Sequence, residues 1–203
     1  MTIKYPRVMP EPSAPKQLFS LTAYLEKEER SKSKHNFFNG QVLNMPGAKS
    51  KHNLIATNVT FAIKTAARFA EKHFLVYNSD QKIIIEHEET LAVVYPDAMV
   101  ICEKPIFWNG REDLITNPLV VVEVLSKSTR NYDKGDKFLL YKKCSTLKEY
   151  VTIEQNKPHV ESWYRLSETA WDNTIQEDLS KSFSLRALGI SVALSDIYEH
   201  IEF

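Results

Sequence analysis

The chain is short of cysteine. Its two, Cys102 and Cys144, lie in apolar surroundings without a metal-type spacing such as C-x-x-C, so a cysteine-built metal site is excluded and two buried free thiols in a reducing compartment are expected. It also lacks an excess of either charge. With 26 basic residues against 26 acidic ones, no global pull toward nucleic acid exists and any such binding must be local. No apolar run reaches membrane-spanning length, so no membrane partner is expected. Met1 to Lys16 is polar, with Pro6, Pro10, Pro12 and Pro15, and lacks the apolar centre of a secretion signal. Residues 1–17 read as an extended arm. With no internal repeat, low-complexity stretch or composition shift, residues 18–203 read as a single cytoplasmic domain large enough for one well-buried core.

What is present is a pattern of helices and strands that implies an α/β fold. Leu18 to Glu29 has Leu18, Leu21, Tyr24 and Leu25 at helical spacing, with Ser20 or Thr22 as cap. Phe37 to Val42 contains Asn39-Gly40, the pair that accepts positive φ in a type I′ hairpin turn. Leu54 to Phe74 repeats apolar residues at Ile55, Val59, Ala62, Ile63, Ala66, Phe69 and Ala70, one broad face of a long helix that must pack against a sheet. The sheet follows in the β-branched runs Lys82 to Glu86, Ala92 to Cys102 and Leu119 to Leu125. A helix is then expected over Asp133 to Cys144 and two strands over Glu149 to Glu154 and His159 to Arg165, joined by the polar turn Gln155 to Pro158. A last helix, capped by Ser195, closes the chain.

Two carboxylates break the strand pattern. Side chains alternate along a strand, so Glu123 points the same way as Leu119, Val121 and Leu125, and Asp97 the same way as Val93, Tyr95, Met99 and Ile101. An unpaired buried carboxylate costs several kcal/mol, which proteins avoid by pairing, protonation or metal coordination. On neighbouring strands, roughly 4.8 Å apart, the two could share one divalent cation, and oxygen ligands with water suit magnesium or manganese. A strand-end position that meets solvent or a lysine is the other reading. The one cationic concentration runs from Lys127 to Lys143, where Lys127, Arg130, Lys134, Lys137, Lys142 and Lys143 face only Asp133 and Asp136. It is either a solvated helix face or a local phosphate-binding surface.

Tyr95-Pro96-Asp97, a spacer, and Val121 to Ser126 together resemble the signature of the PD-(D/E)XK nuclease superfamily. More closely, six blocks resemble, in order, the Uma family of restriction-type endonucleases. They are His35 to Met45, His52 to Ile55, Tyr95 to Ala98, Glu123 to Ser126 with Ser128-Thr129, Asp133 to Tyr141, and Glu149-Tyr150. The resemblance covers about residues 18 to 165. It implies a restriction-endonuclease-like core, a mixed β-sheet flanked by helices, and a metal-dependent endonuclease that acts on DNA as a homodimer.

The resemblance implies that Asp97 and Glu123 are metal ligands, with the Val124 carbonyl assisting, and that His52 positions water or phosphate. Leu125 stands where the superfamily lysine would be, so Lys137 resembles the family lysine that follows at a distance, with Lys127 as its rival. Lys127, Arg130 and Lys134 would contact backbone phosphates. Asn36 departs from the family, which has a glutamate just before the hairpin; asparagine offers a carbonyl oxygen but no charge. Phosphodiester hydrolysis on magnesium or manganese is the function these residues imply. A catalytically weakened nuclease fold that binds nucleic acid or protein is the alternative that Asn36 and the neutral net charge raise.

Overall fold

Residues 18–45, 47–127 and 129–203 are described by this computed structural model; the arm expected over residues 1–17, and Ser128, lie outside them. The chain opens with α1 (Leu21–Arg30), β1 (His35–Phe38), β2 (Gln41–Asn44) and α2 (Ser50–Phe69). Ser20 caps α1, its hydroxyl accepting the Ala23 N–H at 3.1 Å, and Thr22 lies inside the helix. The hairpin turns on Asn39 and Gly40 at φ 44° and 88°, the two positive angles of a type I′ turn. A Cβ on Gly40 would meet the Leu18 side chain at 3.1 Å. The long helix begins at Ser50 and ends at Phe69, earlier at both ends than expected. Glu71, at φ 54°, turns the chain and releases Phe74 into a strand.

The strands that follow are β3 (Phe74–Asn78), β4 (Lys82–His87), β5 (Thr90–Val94), β6 (Ala98–Cys102), β7 (Phe107–Trp108), β8 (Arg111–Ile115) and β9 (Val120–Leu125). Next, α3 (Arg130–Tyr132) runs through a π-helical turn (Asp133–Lys137) into α4 (Phe138–Tyr141). The chain ends with β10 (Glu149–Glu154), β11 (Val160–Arg165), β12 (Trp171–Gln176), β13 (Ser182–Leu185), β14 (Ile190–Ala193) and α5 (Leu194–Ile197). Among the described residues these form a six-stranded sheet in the order β2-β1-β5-β4-β8-β7, a second in the order β12-β11-β10-β9-β6-β3, and the β13-β14 hairpin. Both larger sheets are mixed: β4 is parallel to β8 and β9 to β10. The architecture is therefore α/β, with mixed sheets flanked by helices.

Several expectations need correction. The strand read as Ala92 to Cys102 is two strands in different sheets, because Pro96 has no N–H to continue a ladder and the chain crosses at Tyr95-Pro96-Asp97. Asp97 thus stands at a strand boundary, not in mid-strand. Ala193 occupies the N-cap position of α5, and Ser195 lies within that helix. Cys102, at the end of β6, is exposed rather than buried. The short or largely solvent-facing strands β3, β7, β8 and β12 show too little apolar alternation to be read from sequence, whereas β13 and β14 alternate but are only four residues each.

The layers follow from burial. Ile55, Val59 and Ile63 of α2 cover Ala98, Val100, Val120, Val122 and Val124 on one face of the second sheet. Its other face presents Met99, Ile101, Val121 and Tyr150 to Phe138 and Tyr141 of α4 and to Ile83 and Ile85 of the first sheet. Ile84 points the opposite way, against Tyr24 and Leu25 of α1. Three consecutive buried isoleucines therefore signal a strand covered on both faces, each contributing roughly 1.5–3 kcal/mol.

Burial pushes the Cys144 thiol up to about 12, so its thiolate is both scarce and shielded. An aromatic disulfide reagent should titrate one thiol, Cys102, in the native protein at neutral pH, and the second only in denaturant. Rapid reaction of both would contradict the packing between α4 and β10.

Candidate active site

The antiparallel register of β6 with β9 places Ala98 opposite Val122, so Asp97, one residue before Ala98, and Glu123, one residue after Val122, come level where the ladder ends. Asp97 Oδ2 accepts the Val124 N–H at 2.7 Å. Glu123 is only 3% exposed and shares the face of Val121, as strand alternation requires. It meets two donors from the helical segment above it. Tyr141 donates its hydroxyl to Oε1 at 3.0 Å, and Lys137 Nζ stands 2.7 Å from the same oxygen.

Lys137 is buried in the π-helical turn. Its ammonium also lies 3.6 Å from Asp133 Oδ1 and donates to the Tyr95 carbonyl at 3.4 Å. One side chain therefore joins β9, the helical segment and the crossing that carries Asp97. From the opposite side, His52 in the first turn of α2 brings Nε2 to 3.2 Å from Asp97 Oδ2.

Burial dominates the electrostatics. It pushes Glu123 up to about 8, with Asp97 and Asp133 adding to the shift and Lys137 opposing it. Asp133 is likewise raised by burial. Burial alone would lower Lys137, but Glu123, Asp133 and Asp97 outweigh it and hold the ammonium charged. For His52, too, burial is outweighed, by its hydrogen bond to Asp97, by that charge and by the Val124 backbone. Three acidic side chains share one lysine and one histidine, a balance that favours a further cation.

Among the described residues, no three His, Cys, Asp or Glu side chains gather at a metal-binding spacing. A magnesium ion, however, commonly takes only one or two carboxylates and keeps several waters. Two buried polar atoms beside the pair lack any hydrogen-bond partner, His52 Nδ1 and Thr152 Oγ1. Thr152 is directly opposite Glu123 on the parallel strand β10, hence on the same face. Buried polar atoms seldom go unmatched, and a hydrated cation would supply what these lack. The donor set of Asp97, Glu123 and the Val124 carbonyl fits such an ion.

The structure brings Asp97, Glu123, Lys137, His52 and Val124 together, and it disperses the basic residues. Lys127 is exposed in the loop beyond β9. Arg130 is ion-paired with Glu154 and Lys134 with Glu161. Asn36, buried on β1, spends its carbonyl oxygen on the Tyr95 N–H at 3.2 Å, so it braces the crossing two residues from Asp97. Sequence reading missed three contributors. Asp133 was visible as the acid four residues before Lys137, whereas Thr152 and Tyr141 are polar groups whose role depends on strand and helix placement.

Residues 21–195 match the model of a family named Uma2 and described as "Putative restriction endonuclease". An uncharacterised protein of Synechocystis is 30% identical over 155 residues, 76% of this chain and 85% of that protein. A second from the same organism is 30% identical over 192 residues, 95% of this chain and 97% of that one. Among solved structures, "a putative nuclease belonging to DUF820" from Anabaena variabilis superposes with a TM-score of 0.71 at 13% identity, covering 91% of this chain and 99% of that chain. That last likeness is one of fold.

A carboxylate whose pKa is higher folded than unfolded binds its proton more tightly in the folded state. The stability Glu123 contributes is thus complete below its ordinary value of 4.5 and is lost as pH rises toward about 8. The stability difference between wild type and Glu123→Gln, from urea titrations, should shift in favour of the variant across that window. Lys137→Met, which strips the buried Glu123 carboxylate of its cation, should cost about 3–5 kcal/mol once pH exceeds about 8 and less at lower pH, where Glu123 holds a proton. A pH-independent Glu123→Gln difference would argue against a desolvated Glu123.

Proposed function

The chain belongs to the Uma2 family, described as putative restriction endonucleases, and from that premise we propose that it is a divalent-cation-dependent endonuclease hydrolysing phosphodiester bonds of DNA. The meeting of Asp97 and Glu123 beneath the buried ammonium of Lys137, 2.7 Å from Glu123, carries this reading. Asp97, Glu123 and the Val124 carbonyl would hold magnesium or manganese, which when bound would neutralise phosphate charge and acidify water.

The chain's own residues do the rest. The Val124 N–H fixes one oxygen of Asp97, and Tyr141 and Lys137 fix Glu123, so both carboxylates are preorganised on strand ends. Lys137, held charged by its acidic neighbours, donates to a phosphate oxygen as negative charge accumulates there. His52, anchored on Asp97, orients the attacking water. Lys127 contacts a neighbouring backbone phosphate, and Arg130 and Lys134 join it by exchanging Glu154 and Glu161 for phosphate. The protein works in the reducing cytoplasm as a homodimer, in which a second copy would cover Phe61 and Phe69, 67% and 82% exposed on the outward side of α2. Asn36 supports a second reading, a fold with weakened catalysis that binds nucleic acid or protein, because it replaces an expected carboxylate with a neutral brace.

Plasmid DNA, single-stranded DNA and RNA incubated with magnesium, manganese or chelator separate these readings. Cleavage of DNA only with a divalent ion, abolished by Asp97→Ala, is expected; a folded wild type inert on all three substrates would leave the weakened module. Magnesium should raise the melting temperature of wild type, through binding to the folded state alone, and leave Asp97→Ala unmoved.

Asn36→Glu tests the departure itself. A glutamate can still accept the Tyr95 N–H and adds an anionic oxygen beside the crossing, so cation affinity should rise by about 1–4 kcal/mol. Unchanged magnesium affinity in the folded variant would show that residue 36 acts on the crossing alone.

A further inference from the structure

Beyond the candidate active site, the same face of the second sheet carries a seam of cations and aromatic rings. Glu123, Thr152 and Glu161 lie level across β9, β10 and β11, as do Val121, Tyr150 and Trp163. Arg165, paired with Trp171 of β12, lies four residues along β11 from Glu161, about 13 Å away. The helical segment runs alongside. Lys134 Nζ stands 5.9 Å from the Trp163 ring centre. Eight residues on, about 12 Å along a helix, Lys142 Nζ lies 4.2 Å from the Phe138 ring and 5.8 Å from Trp171. Arg165 Cζ is 4.7 Å from the other side of this cluster, the Trp171 ring.

The two ends of the seam differ in charge balance. Lys134, at the active-site end, is neutralised by Glu161. Among the described residues, neither Lys142 nor Arg165 has a carboxylate at ion-pair distance. Arg165 donates through Nη2 to the Lys142 carbonyl, which draws the two cations together, and its buried Nε has no partner. Two half-buried cations are thus held side by side, with a donor unspent, in a protein whose net charge is zero.

We propose that Lys142 and Arg165, backed by Phe138 and Trp171, form a subsite for a backbone phosphate of the nucleic-acid strand whose cleavage is proposed above. It therefore rests on the substrate class of that reading. Burial lowers both side chains from their ordinary values, and the Arg165 charge lowers Lys142 further, with Cys144 and Glu168 the acidic groups facing Arg165. An anion relieves that strain. Phosphates recur along a strand, and the path from Glu123, two strand spacings of about 4.8 Å across and about 13 Å along β11, is about 16 Å, or about five nucleotides at 3.4 Å of axial rise.

The test is binding of a fluorescein-labelled oligonucleotide in chelator, and again with calcium, so that affinity is read without turnover. Lys142→Gln/Arg165→Gln should bind roughly tenfold more weakly at moderate salt, with a log affinity against log salt slope shallower by about 1. Lys142→Glu alone should weaken binding in the same sense; its ammonium holds no hydrogen bond or ion pair among the described residues, so this variant keeps the fold. Lys181→Gln, at an exposed lysine paired with Asp178, should match wild type. Asp97→Ala should lose cleavage while retaining this binding, which separates the subsite from the nuclease reading. Equal affinity and salt slope for wild type and both seam variants, each verified folded by circular dichroism, would overturn the subsite even if metal-dependent cleavage is found. Failure of wild type to bind any oligonucleotide under both conditions would overturn it as well, whereas binding without cleavage would sink only the nuclease reading.

Discussion

The Lys137–Glu123 ion pair is the interaction on which the candidate site depends. A carboxylate on the strand that forms the middle of a valine-rich sheet is costly to desolvate, and one ammonium at 2.7 Å offsets that cost only with further polar support. The support comes from three directions: Tyr141 on Glu123, and Asp133 and the Tyr95 carbonyl on Lys137. The π-helical turn spans Asp133 to Lys137 and puts both ends of the i,i+4 pair toward β9. Such turns are rare inside helices and recur at functional sites.

A second constraint is the crossing between sheets. Tyr95-Pro96-Asp97 must leave one sheet and enter the other, and Tyr95 is held by every polar group it has. Its N–H goes to Asn36, its carbonyl to Lys137 and its hydroxyl to Glu28 at 2.9 Å. Glu28, itself buried, also accepts the His35 N–H at 2.9 Å and meets His35 Nδ1 at 2.8 Å. The first helix and hairpin, remote from Asp97 in sequence, thus determine where Asp97 stands. This explains why the first sheet matters to a site built on the second.

Glu123 was legible because a charge inside a β-branched run violates a simple periodic rule; Asp97 was picked out by the same rule on a run that breaks into two strands around it. The hairpin at Asn39-Gly40 was legible for a similarly local reason, the need for positive φ. The sheet change at Pro96 was less so: an apolar strand pattern continues on both sides of it, and only the missing N–H marks a break. Thr152 could not be singled out, since a threonine in a strand is ordinary until its neighbour proves to be a buried glutamate. Arg130 and Lys134 read as free cations because their partners, Glu154 and Glu161, lie on strands more than twenty residues away, beyond any local pattern.

That neutralisation also bears on how a chain of zero net charge could hold a polyanion. Charges that are already paired contribute little long-range attraction at physiological salt, where the field decays over about 8 Å. Recognition beside the carboxylates then depends on nearby cations without carboxylate partners, and on backbone and ring groups that act only at contact. An exposed Lys127 beyond β9 and the Lys142–Arg165 couple at the far end of the seam flank the carboxylates from two sides. A strand lying between them would meet the unneutralised carboxylates where a divalent ion can sit, so the same side chains that repel phosphate in the absence of metal would let metal strengthen its binding.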